Sequence, residues 1–363
     1  MTNSRDVRSS NIELLRILSM MLIIATHLCN HYIDVPGSIW PYTYGVIFIQ
    51  LVKSITYIAV NMYVIISAYF LCTSSFKTKR IVFTWLEVLF YSLLLGIPYF
   101  LDGNTNLHNV LTIFFPIFMS EYWFATVYIG LLILSPFINL SIKAMTEKQM
   151  RVLCIVLLML FSIIPSFIGP ISRWVSFGGS CGLVWFIVLY YCSAYIRLYI
   201  PKEKICSNKY KYLVIGIILA SFAAIARFII AFITAKIFGR AIGAGYFYGN
   251  NVIFNVIATY MIFAFFSSIK FHNASICNVI NILAKSSFGV YLIHESPIAR
   301  KYLEIIVPEF YDLTSLLLPL QFLLIVLAIW GICTLIDFVR QILFKPLNNI
   351  NYFPKLDQFV NSI

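Results

Sequence analysis

Nine ionisable side chains stand inside or at the edges of long apolar runs: Glu13, Arg16, His27, Glu87, Glu121, Arg227, His294, Glu295 and Asp337. In hydrocarbon such groups persist only where they are paired or face a polar cavity. Arg16 and His27 are eleven positions apart. On a helix that is three turns plus roughly 20°, with a separation of roughly 16 Å along the axis. Both then project from one face, a cation at one mouth of the membrane and an imidazole deep within it. Glu13, three residues before Arg16, can pair with it on that face. The plainer alternative leaves Arg16 as an interfacial anchor and His27 bonded to a neighbouring carbonyl. A second deep imidazole, His294, is followed directly by Glu295, a carboxylate that only a polar interior tolerates. Two such histidines with several carboxylates describe a wet, reactive cavity.

Two further clusters have the composition of binding sites. Phe76-Lys77-Thr78-Lys79-Arg80 is either an ordinary basic loop or a phosphate-binding cluster, since Arg offers a fork of donors and Lys a compact charge. Ser120-Glu121-Tyr122-Trp123 combines interfacial aromatics with an unusual acid. Gly239, Gly243, Gly245 and Gly249, with Tyr246, Phe247, Tyr248 and Asn250, form a loop that could face a sugar or simply turn the chain. The eight cysteines make no C-x-x-C pair and no Cys/His ligand spacing. Phosphate-loop, nucleophile-elbow, zinc-protease and dinucleotide signatures are absent, so no metal is indicated.

The elements that must position these residues follow from composition. The chain has 363 residues, 61% hydrophobic and 11% charged, against about 25% charged in an average soluble domain. It is an all-α polytopic membrane protein. Ten runs are long enough to cross a bilayer: 12–33, 43–72, 81–101, 121–142, 152–168, 183–200, 212–237, 251–269, 286–306 and 315–341. A further run, 108–119, is too short and carries Pro116, so it reads as re-entrant or interfacial. The first run is long, is interrupted by Arg16 and lacks a small-residue cleavage site, so it reads as a retained span. Nineteen of the 26 Lys and Arg residues fall on the side of the N-terminus. The positive-inside rule makes that side cytoplasmic, with both termini inside. The net charge of +12 is therefore a topology signal, and nucleic acid is not an expected partner. Residues 1–341 read as one membrane domain and 342–363 as a cytoplasmic interfacial tail.

Several of these segments, in order, resemble the acyltransferase-3 family of membrane proteins. Asn11-Ile12-Glu13-Leu14-Leu15-Arg16-Ile17 with His27 is similar to the family's first-helix signature, a basic residue followed after ten positions by histidine. Val60 to Leu71, the basic loop Lys77…Arg80, Glu121-Tyr122-Trp123-Phe124 and Ser287-Phe288-Gly289-Val290-Tyr291-Leu292-Ile293-His294 resemble its later motifs. Three positions depart from the pattern: Ser67-Ala68 stands for Ser-Gly, Glu13 for Asp and Lys77 for Arg. The resemblance implies transfer of an acyl group, usually acetyl, from cytoplasmic acyl-CoA to a hydroxyl. The acceptor would be a cell-surface or exopolysaccharide glycan, or its lipid-linked precursor, at the bacterial cytoplasmic membrane. Arg16, Lys77, Lys79 and Arg80 would hold the CoA phosphates, and the thin pantetheine arm would thread inward. His27 would act as general base or transient acyl carrier, with His294, Glu295 and Glu121 orienting or protonating partners. Some family members append an extracellular hydrolase-like domain. This chain has none, so the membrane domain or a separate polysaccharide-synthesis protein would complete transfer. A transporter or flippase of a glycan precursor is the rival reading.

Overall fold

The computed structural model describes residues 9–33, 42–103, 106–168, 179–201, 203, 208–350 and 352–362. Arg5, Arg8, Arg173, Lys202 and Lys204, which entered the charge count, lie outside them. Helices make up the fold, with no strand among the described residues. They are α1 (Ser10–His27), α2 (Tyr44–Thr56), α3 (Ala59–Leu71), α4 (Thr78–Leu101), α5 (Leu107–Phe114), α6 (Trp123–Ala144), α7 (Glu147–Leu158) and α8 (Ile164–Ile168). There follow α9 (Leu183–Tyr199), α10 (Lys209–Phe238), α11 (Ile253–Ser267), α12 (Ala274–Ala284), α13 (Ser287–His294), α14 (Pro297–Ile306), α15 (Leu318–Leu343) and α16 (Pro354–Ser362).

Eight helical stretches are long and apolar enough to span a membrane, and α9 and α11 are shorter apolar helices. Nine of the ten expected runs coincide with one of these. The ninth, 286–306, does not: the spanning stretch is Ala274–His294. Chain chemistry explains the displacement. Ser296 caps a new helix by accepting from Ala299 N, and Pro297 occupies its first turn, a position where the missing N–H costs nothing. The helix begun there carries Arg300, Lys301 and Glu304 and has no buried residue. Asn273, Ser275, Asn278 and Asn281 made the true first half look like a loop. Lys285, one residue before the expected run, is therefore well inside the observed stretch and exposed. The short 108–119 run does not cross; α5 packs its Ile113 against Gly96 of α4.

Helix α1 is the axis of the bundle, packing against α2, α3, α11, α12, α13 and α15. Burial separates interior from lipid-facing spans: 72% of the apolar window of Tyr44–Leu71 is buried, against 17% of that of Glu147–Ile168. The tail carries hydrogen bonds to the start of α4. Asp357 of α16 accepts a hydrogen bond from Thr78 N at the start of α4 (2.7 Å), and Asn361 brackets the Phe76 backbone with an acceptor and a donor. A carboxylate there satisfies an orphan amide and meets the positive end of the helix dipole.

Candidate active site

Three helices lose regularity at the same depth. Helix α1 ends at His27 and continues as a π turn, Leu28–Tyr32. Beside it α2 and α3 are parted at Tyr57–Ile58, and the Thr26 hydroxyl lies 3.5 Å from the Thr56 carbonyl. Helix α13 stops at His294. Non-helical backbone at membrane depth survives only where protein buries it or a cavity is lined by it, and π turns concentrate at functional sites.

The histidines at these breaks touch. His294 is 2% exposed. Its Nδ1 lies 2.6 Å from the Val290 carbonyl, which can only accept, so Nδ1 carries the proton and neutral His294 presents a lone pair at Nε2. That Nε2 is 2.9 Å from His27 Nδ1. His27 must then donate from Nδ1, and Glu295 Oε1 stands 2.9 Å from the same nitrogen. Glu295 Oε1 is thus a close charge neighbour of that N–H, with no hydrogen-bond partner of its own among the described residues, and in a neutral His27 the lone pair falls to Nε2. A base held in one tautomer, with a carboxylate to stabilise the imidazolium it becomes, is the arrangement that general-base catalysis needs.

His27 lines a slot with Met20, Ile23, Val60, Tyr63, Trp123, Phe124, Phe288 and Tyr291. Its free volume is about 20 Å³, room for about one water. The open passage that a threading pantetheine arm implies is thus absent from this conformation, where aromatic rings close the slot. The Tyr63 hydroxyl is buried with no hydrogen-bond partner among the described residues. Toward the Ser10 end lies a larger cavity of about 470 Å³, lined by residues 71–76, Arg80, Ser135, Asn139, Lys143 and, from the tail, Val360 and Asn361. Helices α3 and α6 line both spaces. Tyr63 in one and Leu71 in the other are about 12 Å apart along the same helix.

The other candidate residues divide. Arg80 reaches the cavity and donates to Ser74 Oγ and the Ser75 carbonyl. Lys77 is exposed, Lys79 lies over the Phe83 ring at 5.3 Å, and neither lines the cavity. Lys143, counted from sequence only as a topology charge, does line it. Arg16 pairs with Glu13 at 3.1 Å, away from the cavity. Glu121 does not join the histidines. Its carboxylate takes Arg300 Nη2 at 2.6 Å, because the break after His294 turns α14 onto α4 and brings Arg300 to the segment before α6. His31, absent from the sequence candidates, is brought to 5.9 Å from the His27 ring by the π turn and is exposed. The loop at Tyr246–Asn250 is tied down: Tyr248 Oη bonds Gln50, and the Asn250 carbonyl accepts from Asn61 Nδ2.

His27, His294 and Glu295 offer donor atoms within 4.8 Å of one another, a set that could be read as a metal's ligands. The 2.9 Å nitrogen–nitrogen distance is that of a hydrogen bond. Around zinc, bonds of about 2.0–2.1 Å in a tetrahedron put nitrogens about 3.3 Å apart. The shared-proton arrangement fits the observed geometry better.

An all-helical, multi-pass membrane protein with a paired, tautomer-fixed histidine at the breaks of its helices is the class that fold and site define. The profile of the acyltransferase-3 family, described as an acyltransferase domain, matches residues 9–337, and the chain belongs to that family. It is a membrane acyltransferase. Neither a curated protein nor a solved structure matches it.

Proposed function

We propose that the protein is an O-acyltransferase that takes an acyl group, acetyl in the simplest case, from acyl-CoA at the Ser10 end. It passes the group to a hydroxyl of a surface glycan or its lipid-linked precursor at the opposite end. The Ser10 end is then cytoplasmic, the membrane the bacterial cytoplasmic one. The observation that carries the reading is the contact of His27 Nδ1 with His294 and Glu295, which leaves Nε2 without a hydrogen-bond partner among the described residues, where helices shared with a basic cavity converge.

The steps balance without another reactant. His27 Nε2 takes the acceptor's hydroxyl proton as its oxygen bonds to the thioester carbonyl carbon. The tetrahedral adduct collapses, the carbon–sulfur bond breaks, and the thiolate takes the proton back from His27 to leave as CoA thiol. Arg80 and Lys143 have the chemistry to hold the nucleotide's phosphates, and the unsatisfied Tyr63 hydroxyl can bond a pantetheine amide. Aromatic rings closing the slot keep water from the thioester until the arm enters.

The test is thiol release by purified protein in liposomes given acetyl-CoA inside and a glycan acceptor outside. The wild type should release thiol only when acceptor is present, and His27→Ala, equally monodisperse, should not. Transport of glycan with the thioester intact would replace this reading with a transporter. An acid-quenched protein bearing an acyl mass on His27 would replace the base by a covalent carrier.

A further inference from the structure

A second polar cluster lies deep in the bundle, and nothing in the proposed chemistry uses it. Asp337 of α15 is fully buried. Its carboxylate accepts from Arg340 Nε (2.9 Å) and Nη2 (3.0 Å), from Tyr91 Oη of α4 (2.8 Å) and from Gln341 Nε2 (2.8 Å). Arg340 also reaches Glu87 of α4 at 3.2 Å. Gln341 donates in addition to Ser286 Oγ, the residue before α13 (2.8 Å). The cluster therefore ties α4, α15 and the start of α13 together.

Its contact with α13 is made through the absence of a side chain. A Cβ built on Gly289 would fall inside the contact radius of the Asp337 carboxylate and 3.1 Å from Asp337 Cβ. Only glycine lets the acid sit on this turn. The next residue is Val290, whose carbonyl holds the proton of His294 Nδ1, and that bond decides which His27 nitrogen carries the lone pair. We propose that Asp337, seated against Gly289 and saturated by Arg340, Tyr91 and Gln341, is a positioning residue. It holds the Gly289–Val290 turn of α13 in the geometry that keeps the Val290 carbonyl aimed at His294 Nδ1, and so fixes the His294 tautomer. The inference rests on the reading of the histidine pair as the reacting centre. It is carried by the juxtaposition of the Asp337 seat and the Val290 carbonyl on consecutive residues.

The experiment uses the full chain in nanodiscs, labelled with nitrogen-15 histidine. Solid-state NMR reads the tautomer of His294, assigned by difference against His294→Gln. The same samples give kcat and the acyl-CoA KM. Gly289→Ala pushes the turn off the carboxylate; Tyr91→Phe removes one donor to Asp337 with little change of volume. Gly331→Ala, on α15 with open space around it, is the control. The wild type and Gly331→Ala should show one His294 species protonated at Nδ1. Gly289→Ala should lose it, with kcat down by about 10²-fold, as a displacement of about 1 Å can cost, and KM within about twofold. Tyr91→Phe should show a mixed tautomer and a smaller fall in kcat. A single Nδ1–H tautomer with unchanged kcat in both variants overturns the proposal, and should Gly289→Ala fail to fold, Tyr91→Phe alone decides it. If His27→Ala retained transfer, the reading of the pair would fall, while the tautomer spectra would still report whether Asp337 sets the register of α13.

Discussion

Helix α13 touches two buried clusters of ionisable groups, centred on Gly289 and His294, about 7–8 Å apart along its axis. At the first, Asp337 has four hydrogen-bond donors on its two oxygens, and Arg340 is shared between Asp337 and Glu87. At the second, the Nδ1 of His27 pairs with His294, Glu295 Oε1 stands 2.9 Å from the same nitrogen with no hydrogen-bond partner among the described residues, and His27 lines a slot. A saturated buried network is rigid, because any movement strips a charge of its partner in a medium that cannot solvate it. A site left one bond short keeps a lone pair for a reactant. The difference lies at the two centres: the Asp337 carboxylate is filled and holds position, although Glu87 Oε1 beside Arg340 has no hydrogen-bond partner among the described residues, and the histidine pair has chemistry to spare.

Substitutions at the two clusters should separate accordingly. The largest effect belongs to the unfilled site. His27→Ala removes the base, and acyl transfer should fall by about 10²–10⁴-fold, measured as acceptor-dependent thiol release, with little change in thermal unfolding. A fall of less than tenfold would make the two clusters alike. At the filled site the order reverses. Asp337→Ala leaves Arg340 with Glu87 alone and should cost about 3 kcal/mol of stability, read as unfolding in detergent, before any kinetic effect is weighed. Glu295→Gln sharpens the contrast from within the reactive pair: it keeps the volume and loses the charge that stabilises the imidazolium. A drop in kcat of about tenfold with unchanged unfolding is expected. Equal loss of stability would mark Glu295 as a structural acid.

Smaller effects lie toward the Ser10 end. Arg80→Ala takes a guanidinium from the basic cavity and should raise the acyl-CoA KM by about tenfold, the worth of one charge-assisted hydrogen bond, and leave kcat nearly constant. A change in kcat alone would remove the cavity from donor binding. Asp357→Ala frees the first turn of α4 and should destabilise its docking on the tail by about 1 kcal/mol. Faster amide exchange over 354–362 with near-normal transfer would show it.

Much of this was written locally in the chain. A composition of 61% apolar residues leaves a helix bundle in a bilayer as the outcome, because backbone groups in hydrocarbon must bond within their own segment. The eleven-residue step from Arg16 to His27 put both on one face for the same reason: helical geometry is local. The ninth span was misread because its polar residues look like a loop, and the apolar count carried the span past Pro297. Only packing shows which face those amides occupy.

Tertiary structure decided everything that depends on two distant segments meeting. His27 and His294 are 267 positions apart, and whether they bond to each other or to lipid-facing carbonyls is set by how α1 and α13 pack. Glu121 went to Arg300, Lys143 joined the cavity where Lys77 and Lys79 did not, and Asp337 found Gly289. Residue type and spacing determine which side chains must hide from hydrocarbon and on which helical face they stand. Which partner satisfies each one is a property of interhelical contacts, because a donor on one helix meets an acceptor on another only once the two have packed.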